Sequence, residues 1–131
     1  MATAKILLVE DELPLLQLVQ KYLERLGFEV DSQTSSIAAL DKIKQAPDHY
    51  DLVMADLGLA EMRGDDLLMK MFEIQPRLLG LICSGSEYFV SKFPAPLQQR
   101  IAFLQKPFVP KELAETLERL LAQRNQEPPR S

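Results

Sequence analysis

Residues 51–58 read Asp51-Leu52-Val53-Met54-Ala55-Asp56-Leu57-Gly58. A short apolar run ends abruptly on a carboxylate, and a glycine follows two residues later. Strands covered on both faces read as continuous apolar runs, so residues 52–55 are expected to be a buried strand. Asp56 then stands at the strand's carboxyl end, where open α/β sheets place their ligand sites. The remaining segments read as a frame around Asp56.

Upstream, Ile6-Leu7-Leu8-Val9 follows Lys5 as a first strand and ends on Glu10-Asp11-Glu12. Pro14 falls in the first turn of the next helix, where its missing N–H costs nothing. Leu16, Val19, Leu23 and Leu26 keep helical spacing, and Gly27 is the natural stop. Phe28-Glu29-Val30 reads as a short second strand. Ser35 or Ser36 can cap a second helix whose buried face is Ile37, Leu40 and Ile43 and which ends before Pro47.

Downstream, Asp65 and Asp66 lie in the first turn of a third helix, favourably for its dipole, with Leu67, Leu68, Met71 and Phe72 as its apolar residues. Residues 78–83 form a fourth apolar strand ending on Ser84-Gly85. Residues 87–100 are the least helical connection, because Pro94 and Pro96 interrupt them. Ile101-Ala102-Phe103-Leu104 is a fifth strand leading into Lys106-Pro107. A last helix from Pro110 buries Leu113, Leu117, Leu120 and Leu121, and the polar tail from Gln126 is expected to fray.

Five strands alternating with helices indicate an α/β protein with a parallel sheet covered on both faces. The usual small version, the flavodoxin-like three-layer (βα)5 sandwich, orders its strands 2-1-3-4-5. The chain has 131 residues, which suits a single domain over 1–125 with a tail or linker at 126–131. A net charge of −4, with no Lys/Arg stripe, argues against a nucleic-acid or anionic-membrane surface. A single cysteine, Cys83, excludes an internal disulfide and suits a reducing compartment. No apolar run approaches a membrane span and no signal-peptide layout opens the chain, so a cytoplasmic location is expected.

In that strand order, neighbouring strands lie about 4.8 Å apart, so the ends of the first and fourth strands flank the third. Asp11 is then expected on one side of Asp56 and Ser84 on the other. Lys106 lies two spacings away, roughly 10 Å at the backbone, and only its long side chain could reach back. Clustered carboxylates repel one another unless a cation relieves them. Oxygen ligands without His or Cys nearby favour a hard ion, and Mg²⁺ uses one or two carboxylates, waters and phosphate oxygens. An aspartate can also attack phosphorus, giving an acyl phosphate whose charge the metal, Lys106 and Ser84 would offset.

On these residues the sequence resembles the receiver domains of two-component response regulators. The matching stretches are residues 6–12, residues 51–56, Met62-Arg63-Gly64, Ser84-Gly85 and Phe103-Leu104-Gln105-Lys106-Pro107-Phe108. The last two resemble receivers attached to hybrid histidine kinases. The resemblance implies that Asp56 accepts a phosphoryl group from a phosphohistidine of a histidine kinase or phosphotransfer protein, as a signalling switch rather than an enzyme. It further implies a Mg²⁺ site of Glu10, Asp11, Asp56 and the Gly58 carbonyl, with Ser84 and Lys106 on the phosphoryl oxygens and a cis Lys106–Pro107 bond. Phe103 corresponds to the family's aromatic switch, which turns inward as Ser84 is drawn toward the phosphorylated aspartate. The face of the fourth helix, fifth strand and fifth helix is remodelled in consequence and can carry a homodimer. Read without the family, Phe103 is equally a core residue.

Some positions depart from the family pattern. The methionine–proline pair after the phosphorylated strand is Leu59-Ala60 here, which implies a looser loop. The prolines after Phe93 imply a short fourth helix. Gly58 and Ser86 occupy two positions that in the family border the path of the hydrolytic water, so the resemblance implies that no acidic or amide side chain there tunes the phosphoryl lifetime. Leu13, Pro14 and Leu15 crowd the start of the first helix; they either pack in the core or, with Phe108, form an apolar patch for a kinase helix pair. His49 reads as a solvated surface histidine and Cys83 as a small buried hydrophobe.

Two other functions fit the fold class. A flavin-nucleotide carrier needs a phosphate-cradling loop rich in Gly, Ser or Thr after the first strand, where this chain puts Glu10-Asp11-Glu12. A Mg²⁺-dependent aspartyl-phosphate phosphohydrolase needs a substrate cap and a general acid, for which 131 residues leave little room. With no output domain after the last helix, a stand-alone receiver, a phosphorelay member and a piece of a longer chain all remain open.

Overall fold

The computed structural model describes residues 3–124; the tail at 126–131 lies outside them. Five strands alternate with helical segments: β1 (Lys5–Val9), α1 (Leu13–Arg25), β2 (Glu29–Gln33), α2 (Ser36–Gln45), β3 (Leu52–Asp56), α3 (Gly64–Ile74), β4 (Leu79–Ser84), α4 (Ala95–Gln98), β5 (Ile101–Gln105) and α5 (Pro110–Leu121). The strands form one parallel sheet in the order β2-β1-β3-β4-β5, as expected.

Alternation along the strands divides the core in two. Leu7, Val9, Val53, Ala55 and Ile82 face α2 and α3, which bring Ala39, Leu40, Ile43, Leu67, Leu68, Met71 and Phe72. Ile6, Leu8, Met54, Leu81 and Leu104 face α1 and α5, which bring Leu16, Val19, Leu23, Leu113, Leu117 and Leu120. α3 lies close to the sheet because Gly80 of β4 leaves room for the Leu68 side chain.

Several element-level expectations are corrected. β2 runs to Gln33 and includes Asp31 and Ser32; as an edge strand it is held by its ladder to β1 rather than by an apolar run. The inward stripe of α2 is Ser36, Ala39, Leu40 and Ile43, while Ile37 is exposed. Its side chain is turned about 100° from that of Ser36, which carries it away from the sheet. Leu26 is also exposed, because Gly27, at φ 97°, ends α1 and turns the chain into β2. Leu121 is only partly buried.

The segment interrupted by prolines does shorten. It holds one 3-10 turn (Val90–Lys92) and an α4 of four residues. Among the described residues no helix is long and apolar enough to cross a membrane.

Candidate functional site

The carboxyl ends of β1, β3 and β5 meet at one rim. Asp56 follows Met54 in the alternation of β3, and Lys106 follows Leu104 in that of β5, so both point toward the α1/α5 side. Glu10 continues Leu8 in the same way. The Lys106 ammonium donates to Asp56 Oδ1 at 2.6 Å and to Glu10 Oε1 at 2.9 Å. Asp56 Oδ2 accepts the Gly58 N–H at 3.0 Å, and Glu10 Oε2 accepts the Glu12 N–H at 3.1 Å. Lys106 itself is fixed by its N–H bond to the Ser84 carbonyl, and the Lys106–Pro107 peptide is cis.

Glu10 is buried, Asp56 half-buried and Asp11 exposed, and one oxygen of each lies within 4.8 Å of the others. Three clustered carboxylates, two of them bonded to one ammonium, leave an excess of negative charge. Burial pushes the Glu10 carboxyl above its usual range, against the bonds from Lys106 and the Glu12 N–H that favour its charged form. Burial opposes the charged form of Lys106 too, but bonds to Asp56 and Glu10 outweigh it and raise the ammonium above its usual value. This oxygen-only donor set on a partly solvated rim fits a hard divalent cation such as Mg²⁺.

One expectation about the donor set needs correcting. Cys83 is the register partner of Asp56, so a thiol does stand beside the site. Burial pushes that thiol up to about 12, and the protonated group contributes no ligand.

Ser84 lies one residue beyond the Asp56 partner, and its hydroxyl accepts the Ser86 N–H at 3.0 Å. By alternation it shares a face with Ile82, the register partner of Phe103. Phe103 is half-buried on that face, its ring 6.1 Å from the ring of Tyr88. Sequence reasoning passed over Tyr88. It is buried, packs edge-on against Phe93, and donates its hydroxyl to Asp65 Oδ2 at 3.3 Å. Asp65 is also gripped by the Arg63 guanidinium at 3.1 and 3.2 Å. Burial, followed by the Asp65 charge, pushes the Tyr88 phenol up to about 12. The phenylalanine without a hydroxyl thus rests on a tyrosine whose hydroxyl is tied to the start of α3.

The patch considered at the start of α1 opens into a groove. Leu15, Leu18, Tyr22, Pro107 and Phe108 line a depression of about 410 Å³ beside Lys106. Leu18 is exposed on its wall and the buried Val19 reaches its floor, whereas Leu13, though exposed, and Pro14 are not among the residues that line it.

The family model of the response regulator receiver domain matches residues 6–118. This chain belongs to that family. The receiver domain is 31% identical over 121 residues to sensor kinase CckA of Brucella abortus, covering 91% of the chain but 13% of that protein. It is 26% identical to the response regulator receiver protein CpdR of the same organism, covering 89% of the chain and 96% of CpdR. Among solved structures, a CheY-like receiver domain protein from Methanospirillum hungatei superposes with a TM-score of 0.82 at 25% identity, covering 96% and 100% of the two chains. The receiver domain of the hybrid histidine kinase CckA gives 0.75 at 26% identity, covering 89% and 99%. Magnesium and phosphorylation belong to this family's chemistry, and two-component signalling is the setting of this receiver domain.

Proposed function

We propose that this receiver domain is a phosphoacceptor switch of a two-component system or phosphorelay, working in the cytoplasm with Asp56 as the acceptor. The observation that carries the reading is the Lys106 ammonium bridging Asp56 and Glu10 with Asp11 alongside. An Asp56 oxygen attacks the phosphorus of a phosphohistidine; the O–P bond forms as the P–N bond breaks, and the imidazole nitrogen keeps the electron pair and then takes a proton. Glu10, Asp11, Asp56 and the Gly58 carbonyl would hold Mg²⁺, which offsets the phosphoryl charge when bound. Lys106 neutralises a transferring oxygen, and Ser84 leaves the Ser86 N–H to donate its hydroxyl to another. The domain catalyses only its own phosphorylation and dephosphorylation. Intact-mass measurement after incubation with Mg²⁺ and acetyl phosphate tests the reading, which requires a single phosphoryl increment on the wild type.

The relay runs along the face shared by Ser84 and Phe103. Moving Ser84 shifts the segment that carries Tyr88, and Phe103 repacks against that ring. The face of α4, β5 and α5 then meets an output partner or a second copy, with the half-buried Leu97 of α4 and the exposed Phe89 ahead of it as the apolar side chains offered to that partner.

The phosphoryl donor is a histidine kinase or phosphotransfer protein whose helix enters the groove lined by Leu15 and Phe108. Leu15→Asp places a charge in that groove, and phosphotransfer from the donor protein is expected to slow at least tenfold, about 1.4 kcal/mol or more. Phosphorylation by acetyl phosphate should keep its wild-type rate, because that small donor does not use the groove. Equal transfer from the protein donor would remove the docking assignment.

The lifetime of the acyl phosphate is set by open access at Gly58. A Cβ at this position would lie 3.4 Å from Asp56 Oδ2, an ordinary contact, so a side chain fits beside the carboxylate. Gly58→Asn is therefore expected to slow dephosphorylation several-fold by crowding the water's approach, as followed by the decay of the phosphorylated mass. An unchanged decay would show that this position does not border the water's path.

A further inference from the structure

The geometry points to Ser36, assisted by Ser35 and Glu61, as a positioning residue that latches the loop between β3 and α3 onto the start of α2 and so holds Gly58 against Asp56. Ser36 is 1% exposed, and its hydroxyl donates to the Met62 carbonyl at 2.9 Å. Next to it, Ser35 donates to the Glu61 carboxylate while accepting the Ala38 N–H as the cap of α2. The loop is closed at its base by the Gly64 N–H bond to the Leu57 carbonyl, and Leu59 is buried in the core. Gly58 and Ala60, on either side of Leu59, are exposed.

The loop needs such a tie because its own sequence offers little stiffness. Leu57-Gly58-Leu59-Ala60 has no proline to restrict the backbone, and a glycine in a mobile loop samples many conformations. The Gly58 N–H must nonetheless stay on Asp56 Oδ2 if its carbonyl is to serve beside the carboxylates. Two side-chain bonds from one helix end, 26 residues earlier in the chain, hold the loop at Glu61 and Met62, in addition to the backbone bond that closes its base. This inference rests on the phosphoacceptor reading of Asp56.

Ser36→Ala removes the buried half of the latch and Glu61→Ala the exposed half, neither touching the acidic rim. Ser32→Ala is the control, since it deletes a side-chain bond to Gln20 elsewhere. Amide hydrogen exchange of residues 57–63 in metal-free protein should quicken about tenfold in Ser36→Ala and less in Glu61→Ala. The Mg²⁺ dissociation constant by calorimetry should rise several-fold in the same order, with the control unchanged in both. Unchanged loop exchange overturns the latch, as does faster loop exchange with wild-type Mg²⁺ affinity. Exchange raised evenly across the whole domain also overturns it, by showing a merely structural role. Wild-type protein that gains no phosphoryl mass would mark failure of the phosphoacceptor reading instead, and the positioning role would fall with it.

Discussion

Asp56→Asn is expected to gain no phosphoryl mass after incubation with Mg²⁺ and acetyl phosphate under conditions that phosphorylate the wild type. The amide keeps the shape of the carboxylate and can still accept the Gly58 N–H bond, so the loop need not move. What it loses is the anionic oxygen, and with it the nucleophile, one of the three clustered carboxylates and one of the two that hold the Lys106 ammonium. Mg²⁺ affinity should therefore fall as well, because an amide oxygen is a weaker ligand for a hard cation. Folding should survive. Removing one charge from the acidic cluster relieves repulsion on Glu10 and Asp11, and Lys106 retains Glu10 at 2.9 Å. Thermal unfolding separates this outcome from simple loss of the domain. An undiminished phosphoryl gain would assign the chemistry to a neighbouring carboxylate and end the account built on Asp56.

The parts of this fold that were legible in the sequence are those where burial is decided locally. Residues 52–55 lie between helices on both faces and leave an unbroken apolar run; β1 and β4 do the same. Pro94 and Pro96 announce a short α4 because they remove donors and clash with a preceding turn. The rim residues were legible because each ends a strand, and strand order then determines which ends meet. That Lys106 reaches Asp56 follows from side-chain length across two strand spacings.

The illegible parts depend on partners distant in the chain. Arg100, which no local pattern singles out, is 2% exposed and donates to the Arg77 and Leu78 carbonyls, about twenty residues earlier. Tyr88 gave no periodic signal because it sits between a 3-10 turn and a strand end, and only Asp65 of α3 explains its buried hydroxyl. Ile37 is apolar yet lies off the stripe of Ser36, Ala39, Leu40 and Ile43 that faces the core, so residue type alone points the wrong way there. Small residues on a helix are easily passed over, and here one of them carries the bond to Met62.

Gly64→Ala is expected to damage both fold and site, although it adds a single methyl group. A Cβ on Gly64 would stand 2.4 Å from the Asp56 carbonyl oxygen, 3.0 Å from its carbonyl carbon and 3.2 Å from Leu57 Cα. All three are backbone atoms at the end of a central strand, where no rotamer change can make room. Gly80 provides the internal contrast. Its Cβ would meet Leu68 Cδ1 at 2.9 Å, the far end of a flexible side chain. Overpacking that a side chain can relieve costs about 1 kcal/mol, whereas backbone displacement reaches about 3 kcal/mol or more. Denaturant unfolding should therefore rank Gly64→Ala well below Gly80→Ala. The damage should also be local in kind. Relieving the clash pushes Asp56 or the first turn of α3 away, and strains the Gly64 N–H bond to the Leu57 carbonyl that closes the loop. Whatever fraction remains folded should bind Mg²⁺ more weakly and take up the phosphoryl group more slowly than Gly80→Ala of equal folded fraction. Equal stabilities for the two variants would mean that the turn yields freely, and the tight approach of Gly64 to Asp56 would then play no part in placing the carboxylate.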